Sequence, residues 1–262
     1  MPEDPTFDDA LAMMRDLRAR CDWDRAQTHD SLRPYLLEEA HELDETIRDG
    51  DAAHMRDELG DMLLQVLFHS VIAEESGEFT ARDVPKALIA KMIRRHPHLF
   101  GDAPREPWEK MKARARASIE EGLPAGLPSL HRAHRLQERA AGVGFDWPDV
   151  EGPAQKVEEE LAEVREHLGA RAPVPAGAVD SVPPRDAAQL ALESELGDLL
   201  FAVVNLCRRA GVHPSIALDR ANAKFVRRFS AMEALAKERG VTMGSASLAE
   251  LDALWDEVKR GE

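Results

Sequence analysis

The sequence contains little cysteine, few aromatic residues and no long apolar run. Only two cysteines, Cys21 and Cys207, occur among 262 residues, which excludes a disulfide framework. Aromatic residues make up 5% of the chain and charged residues 32%, a balance that favours helices. No apolar run could span a bilayer, and the acidic N-terminus lacks the pattern of a secretory signal. The predicted location is therefore the cytoplasm, without a membrane partner.

The sequence also has too few basic residues to balance its acidic ones. The formal net charge is −15 at pH 7, whereas a protein that binds a nucleic-acid polymer needs a basic surface to neutralise the phosphates. The composition therefore argues against a nucleic-acid partner. A small phosphorylated substrate is compatible with this charge if a metal ion and local Lys or Arg side chains offset the negative background.

The most informative pattern is an acidic motif that occurs twice. A Glu-Glu-x-x-Glu cluster at 38–42 precedes Glu-x-x-Asp at 58–61, and the same cluster at 159–163 precedes Glu-x-x-Asp at 195–198. Each Glu-x-x-Asp opens a strongly apolar stretch, where an ionised carboxylate must be paired or must bind a metal ion. Oxygen ligands favour Mg²⁺ or Mn²⁺ over zinc. The motif predicts a site for a hard divalent cation, and a solvated acidic face is the alternative for such Glu-rich helices.

Helical periodicity dominates the chain, and no strand alternation is evident. We expect an all-α fold in which two helical bundles form a tandem repeat, with domains at 1–121 and 122–262 and a linker at 121–129. The stretch 170–184 is rich in Pro, Ala and Gly and predicts a mobile loop. Pro34 suits the first turn of a helix that ends at Gly50. Further helices are predicted near 51–75, 83–95, 108–120, 130–140, 153–168, 186–210, 214–239 and 247–260.

Basic and aromatic residues recur in the same order after each acidic motif. A Lys-x-x-x-Arg pair precedes a Trp-x-x-x-Lys pair, and the members of each pair lie one helical turn apart. Cations near a carboxylate–metal cluster suit a polyphosphate, and a tryptophan can stack on a base. Singly, each residue would be a surface cation or a core tryptophan, but the repeated order favours a shared site. The residues are Lys91, Arg95, Trp108 and Lys112 in the first copy and Lys224, Arg228, Trp255 and Lys259 in the second.

These motifs together resemble the MazG family of the all-α nucleoside triphosphate pyrophosphatases. The family's acidic motif is present twice, and its Cys-x-Trp-Asp-x-x-Gln-Thr-His signature matches residues 21–29. Segments 94–100 and 224–229 are similar to further family motifs. The resemblance implies hydrolysis of NTPs and dNTPs to the monophosphate and pyrophosphate. It also implies Mg²⁺ as cofactor, with Mn²⁺ as a possible substitute, and a homodimer of helical bundles.

The resemblance also assigns roles to residues. Lys156 and Glu159 join the basic and aromatic residues named above as nucleotide contacts. In a metal-assisted attack by water, Glu159 is also a spare carboxylate and the candidate general base. The repeats differ three residues before the Glu pair, where the second has Lys156 and the first has Tyr35. The second repeat is therefore expected to be the active one. The implied metal ligands are Glu39, Glu42, Glu58 and Asp61 in the first repeat and Glu160, Glu163, Glu195 and Asp198 in the second.

Two other functions are weighed against hydrolysis. Glu38 and His41 have the carboxylate–histidine spacing of di-iron helical bundles, but such proteins need two copies and Ala162 replaces the second histidine. A helical protein that senses nucleotides without hydrolysing them is the second alternative. It applies best to the first repeat alone, which could serve mainly in dimerisation.

Overall fold

Twelve α-helices form the part of the chain that the structure describes. This computed structural model describes residues 4–102, 104–114, 116–169 and 186–261. These ranges contain no strand, so the prediction of an all-α fold is confirmed. The predicted mobile loop at 170–184 lies outside the described residues. None of the described helices is long and apolar enough to cross a membrane.

Packing divides the chain into two compact units, residues 1–105 and residues 106–262. Each unit contains one complete acidic motif. The domain division at 121/122, which follows the repeat, stays a prediction. The helices of the first unit are α1 (Phe7–Arg20), α2 (Asp22–Ala26), α3 (His29–Asp49), α4 (Ala52–Ser76), α5 (Asp83–Arg95) and α6 (Pro97–Phe100). Those of the second are α7 (Trp108–Ala113), α8 (Ser129–Gly142), α9 (Glu151–Leu168), α10 (Ala187–Arg209), α11 (Pro214–Glu238) and α12 (Leu248–Arg260).

In the first unit, α3 and α4 pack along each other and carry the first acidic motif. Gly50 ends α3 in the left-handed conformation (φ 73°), which glycine adopts without strain. The Asp51 carboxylate then accepts hydrogen bonds from the first amides of α4. This helix matches the prediction for 51–75 closely. α1 also packs on α4, and the apolar core of the unit comprises Leu11, Met14, Leu32, Phe68, Val71 and Ala81.

The start of α3 differs from the prediction. The Ser31 amide donates to the Thr28 hydroxyl (3.2 Å), and the Thr28 amide donates to the Ser31 hydroxyl (2.9 Å). This capping box begins α3 at His29, because it satisfies amides that would otherwise lack partners. Pro34 therefore lies inside α3 and not in its first turn, so that part of the prediction is wrong.

In the second unit, α9 and α10 form the main helix pair and carry the second acidic motif. α8 packs on α10, where the Gln137 side chain donates to the carbonyl oxygen of Phe201 (2.8 Å). α11 and α12 pack together over Met232, Ala236 and Leu254. The helices predicted from 130 onward agree with α8 to α12 to within two residues at either end.

α7 is shorter than predicted and packs within the second unit. The helix predicted at 108–120 ends at Ala113. Gly142 of α8 allows the two backbones to approach, because a Cβ atom there would lie 3.0 Å from the carbonyl oxygen of Glu109. The Glu109 carboxylate also pairs with Arg135 of α8 (3.2 Å). The end of the first sequence repeat thus belongs to the second packing unit.

Candidate metal centres

The α3–α4 pair brings three carboxylates of the first repeat together. Glu39 projects from α3, and Glu58 and Asp61 project from α4. One oxygen from each lies within 4.8 Å of the others. We call this group the α3–α4 cluster. Glu42 lies outside the group, exposed on the next turn of α3.

The carboxylates of the α3–α4 cluster repel one another. Burial raises the pKa of Glu39, and the charges of Asp61, Glu42 and Glu58 raise it further. The pKa of Glu58 is raised by burial first and then by Glu42 and Asp61. The Oε2 atom of Glu58 is buried and has no hydrogen-bond partner among the described residues. Mutual repulsion and an unpaired oxygen both suit a group that binds a hard cation, because such an ion accepts several carboxylate oxygens at once.

The α9–α10 pair repeats this arrangement. Glu160 and Glu163 lie on α9 and Glu195 on α10, with one oxygen of each within 4.8 Å of the others. We call this group the α9–α10 cluster. Burial raises the pKa of Glu163, and the Glu160 charge raises it further. Asp198 lies one turn beyond Glu195 and is exposed outside the group.

Lys156 distinguishes the α9–α10 cluster from its counterpart. Its Nζ atom lies 2.7 Å from Glu159 Oε1 and 2.7 Å from Glu160 Oε1. Hydrogen bonds to these two carboxylates raise the pKa of Lys156 above its usual value. Glu160 is only 5% exposed, so Lys156 supplies the counter-charge that a buried carboxylate needs. Tyr35 of α3 stands where Lys156 stands on α9 and brings no charge.

Apart from the predicted contacts on α9, the predicted nucleotide contacts of the second repeat lie on α11 and α12. Lys224 is exposed on α11, and Arg228 is half-buried on the next turn. Trp255 of α12 packs against Phe225 of α11, with ring centroids 5.6 Å apart, and borders the apolar core. Lys259, one turn after Trp255, lies 3.6 Å from Asp256. Trp255 therefore has a packing role whether or not it also contacts a base.

The predicted contacts of the first repeat are divided between the two units. Lys91 and Arg95 are half-buried on α5 in the first unit. Trp108 and Lys112 lie on α7 in the second unit, where the Lys112 ammonium is 4.8 Å from the centre of the Trp108 ring. The repeated order of residues did not predict this division, because α7 belongs to the second unit through its contacts with α8, and the repeat pattern carries no information about those contacts.

Comparison with known proteins agrees with the geometry. The MazG nucleotide pyrophosphohydrolase domain matches residues 27–100, which include the whole α3–α4 cluster. A Thermotoga maritima protein named nucleoside triphosphate pyrophosphohydrolase/pyrophosphatase MazG is 43% identical over 266 residues, which cover 98% of this chain and 96% of that protein. This chain belongs to the MazG family. The resemblance drawn from the motifs is therefore confirmed.

Other MazG relatives match the chain over nearly its full length. The Escherichia coli K12 protein named nucleoside triphosphate pyrophosphohydrolase is 40% identical over 264 residues, 96% of this chain and 95% of that protein. A Bacillus subtilis protein named YabN is 41% identical over 98% of this chain, which spans 52% of that longer protein. Both repeats of the present MazG chain are thus shared with these relatives.

Sequence reasoning missed one feature of this MazG chain. The rings of Trp23 on α2 and Tyr35 on α3 meet edge to face, with centroids 6.2 Å apart, and α3 is also the helix that carries Glu39. The available signal was the spacing of Tyr35 and Glu39, which places both on one face of α3. Trp23 was part of the family signature but had no assigned role.

Proposed function

We propose that this MazG protein hydrolyses nucleoside and deoxynucleoside triphosphates to the monophosphate and pyrophosphate at the α9–α10 cluster. The observation that carries the proposal is the meeting of Glu160, Glu163 and Glu195 from two helices, with Lys156 held beside them. Carboxylates with an adjacent ammonium group suit a triphosphate that arrives with a divalent cation. The activity named for the relatives supports the same reaction.

Mg²⁺ is the proposed cofactor, and Mn²⁺ is its proposed substitute. Glu160, Glu163 and Glu195 would hold the ion, with Asp198 as a fourth ligand. The fit rests on the donor set, which consists of carboxylate oxygens and includes Glu163, whose pKa is raised by burial and by its neighbour Glu160. When bound, such an ion neutralises polyphosphate charge and lowers the pKa of a coordinated water.

The protein's own side chains are proposed to accept the proton and to bind the phosphates and the base. Glu159 is exposed next to Glu160 and is the proposed acceptor of the proton from the attacking water. Lys156 orients Glu159 through their 2.7 Å contact and is available to a phosphate oxygen when the cluster is neutralised. Lys224, Arg228 and Lys259 are the proposed phosphate contacts, and Trp255 the proposed base contact. In the first unit Glu42 is proposed as a fourth metal ligand beside the α3–α4 cluster, and Lys91 and Arg95 are the proposed nucleotide contacts. Trp108 and Lys112, the remaining contacts expected from the first repeat, lie in the second unit.

A homodimer in the cytoplasm is the proposed working form. Its support is the apolar surface of α10 and α11, where Leu200, Phe225 and Val226 are 59%, 56% and 62% exposed. Exposed apolar area of this kind favours association with another protein surface. The second copy of the chain is the proposed partner.

A regulatory role is the second candidate for the first repeat. It is favoured by Tyr35, an uncharged residue at the position where Lys156 lies beside the second cluster. The di-iron alternative has less support. Neither carboxylate cluster found among the described residues includes a histidine, and His41 is exposed on α3.

Assay of the products tests the proposal. Purified protein is incubated with each NTP and Mg²⁺, and pyrophosphate and orthophosphate are measured separately. Pyrophosphate should appear first, and excess chelator should stop its release. Glu163→Gln should reduce the rate strongly, while Glu166→Gln, on an exposed part of α9, should leave it unchanged. Initial release of orthophosphate would refute the assignment, and tightly bound iron would favour the di-iron alternative.

A further inference from the structure

Two exposed aromatic rings lie beside the α3–α4 cluster. Trp23 is 53% exposed and Tyr35 is 41% exposed, although their rings contact each other at an interplanar angle of 76°. Each ring thus keeps much of its surface open to solvent. The pair presents two ring surfaces at an angle, an arrangement that can receive a flat heterocycle.

The fold holds this aromatic pair in place. Arg18 of α1 is buried, and its guanidinium donates to the carbonyl oxygen of Gln27 (2.9 Å) at the end of α2. The Gln27 side chain donates to the carbonyl oxygen of Trp23 (3.0 Å) and accepts a hydrogen bond from Ser31 of α3 (2.7 Å). Helix α2, which carries Trp23, is therefore fastened both to α1 and to the start of α3.

Tyr35 links the aromatic pair to the carboxylates. It precedes Glu39 by four residues on α3, so the two side chains are neighbours on one helical face, about 5–6 Å apart at Cβ. Trp23 contacts Tyr35 and adds a second exposed ring to this surface. The order along this surface is thus an aromatic pair followed by an acidic cluster, which corresponds to the base and the metal-bound phosphates of one nucleotide.

We propose that Trp23 and Tyr35 bind the base of a second nucleotide polyphosphate, whose metal-bound phosphates lie at Glu39, Glu58 and Asp61. This rests on the proposed function, because it takes these carboxylates as metal ligands. Tyr35 contributes ring surface at the position where Lys156 contributes charge. The two repeats therefore bind nucleotides by different balances of stacking and charge, and binding at the first depends more strongly on the divalent cation.

Equilibrium dialysis of the full chain tests this second site. The probe is an α,β-methylene nucleoside triphosphate with Mg²⁺, which cannot be cleaved between the α and β phosphates. The parent chain should bind two equivalents, and Glu195→Gln should retain one. In the Glu195→Gln chain, Trp23→Ala should weaken the remaining site about tenfold, since base–aromatic stacking contributes on this scale, and Trp23→Phe should restore most of it. Phe79→Ala is the matched control, because Phe79 is similarly exposed (43%) in the same unit.

Inorganic tripolyphosphate separates base binding from phosphate binding. Trp23→Ala should not change its Mg²⁺-dependent affinity, because this probe has no base. Equal losses for tripolyphosphate and nucleotide would overturn the proposal, as would a single equivalent bound by the parent or a change of oligomeric state in Trp23→Ala. Pyrophosphate release from an ordinary NTP is measured in parallel. If that release fails while two equivalents bind, the proposed function is wrong and the second site stands.

Discussion

The two acidic clusters share their spacing but differ in the residue one turn before the first carboxylate. On α9, Lys156 lies 2.7 Å from Glu160 and supplies a positive charge inside the cluster. On α3, Tyr35 occupies the matching position and turns towards Trp23. Carboxylates repel one another in both clusters, but only in the second does this position supply a charge, that of Lys156, which offsets part of the repulsion. An identical acidic motif is therefore not sufficient to predict identical chemistry.

This difference explains why the clusters suit different tasks. We expect Lys156 to transfer its contact from Glu159 and Glu160 to a phosphate oxygen when a nucleotide binds. At the matching position the α3–α4 cluster has the uncharged Tyr35, and among the described residues the Oε2 atom of Glu58 is buried without a hydrogen-bond partner. We expect it to depend on an added divalent ion for stability and binding, with little contribution to turnover.

The largest expected effect comes from removing a carboxylate of the second repeat. Glu195→Gln and Asp198→Asn should each reduce pyrophosphate release more than about 100-fold, because changes in the outer shell of a metal site alone cost 10–100-fold. Asp61→Asn should reduce it far less. Initial rates at saturating Mg²⁺ measure all three. If Asp61→Asn is as damaging as Asp198→Asn, the first repeat is catalytic or coupled to the second. The proposal that only the second repeat hydrolyses nucleotides would then be wrong.

Metal binding should stabilise the protein in a way that depends on pH. The pKa values of Glu39 and Glu163 are raised in the folded chain by burial first and then by neighbouring carboxylates. A pKa above the unfolded value favours folding below about pH 4.5, and this contribution is lost as the pH rises through the folded pKa. Mg²⁺ should therefore raise the unfolding temperature at pH 7 and much less near pH 4.5. An ion at 100 times its Kd stabilises a site by about 2.7 kcal/mol.

Thermal unfolding with Mg²⁺ or chelator, at matched ionic strength, measures this effect. Glu39→Gln should stabilise the metal-free protein more than Glu163→Gln does, because Lys156 already offsets part of the charge on α9. Both variants should reduce the gain from Mg²⁺. An equal response to Mg²⁺ at the two pH values would contradict the proposed metal sites.

The carboxylate spacing and most helices could be predicted from the sequence because they depend on local periodicity and local caps. The turn at Gly50 and Asp51 is an example, since both residues act within their own segment. The place of α7 could not be predicted, because it depends on contacts between Glu109 and Gly142. The contacts of Lys156 with Glu159 and Glu160 are local, three and four residues along α9, so the helical spacing already allowed them to be predicted.

Truncation should distinguish the packing units from the sequence repeat. The guanidinium of Arg139 is buried and donates to the carbonyl oxygens of Ile119 (2.7 Å) and Glu121 (2.9 Å). A chain that begins at residue 122 loses these partners and α7, whereas one that begins at residue 106 keeps them. The shorter chain should be less stable by about 2 kcal/mol, the scale of hydrogen bonds to a charged group. Urea unfolding of both measures the difference, and equal midpoints would favour the division at 121/122.

The smallest expected effect comes from changing Tyr35, the residue at which the first repeat differs from Lys156 of the second. Tyr35→Lys places an ammonium group four residues before Glu39, as Lys156 is placed before Glu160. The new group should lower the raised pKa of Glu39 and stabilise the metal-free protein at pH 7 by about 0.3 kcal/mol, as exposed helical ion pairs do. The gain is small because a lysine that precedes its glutamate has the weaker orientation.

Chelator-treated protein is compared by urea unfolding, with Tyr35→Gln as the uncharged control that also lacks the ring. Mg²⁺ affinity at the first cluster should fall at the same time, since the ammonium group competes with the ion. If Tyr35→Lys and Tyr35→Gln behave alike in both measurements, the charge at this position does not distinguish the clusters, and the difference between the repeats must come from the residues on α5 and α11.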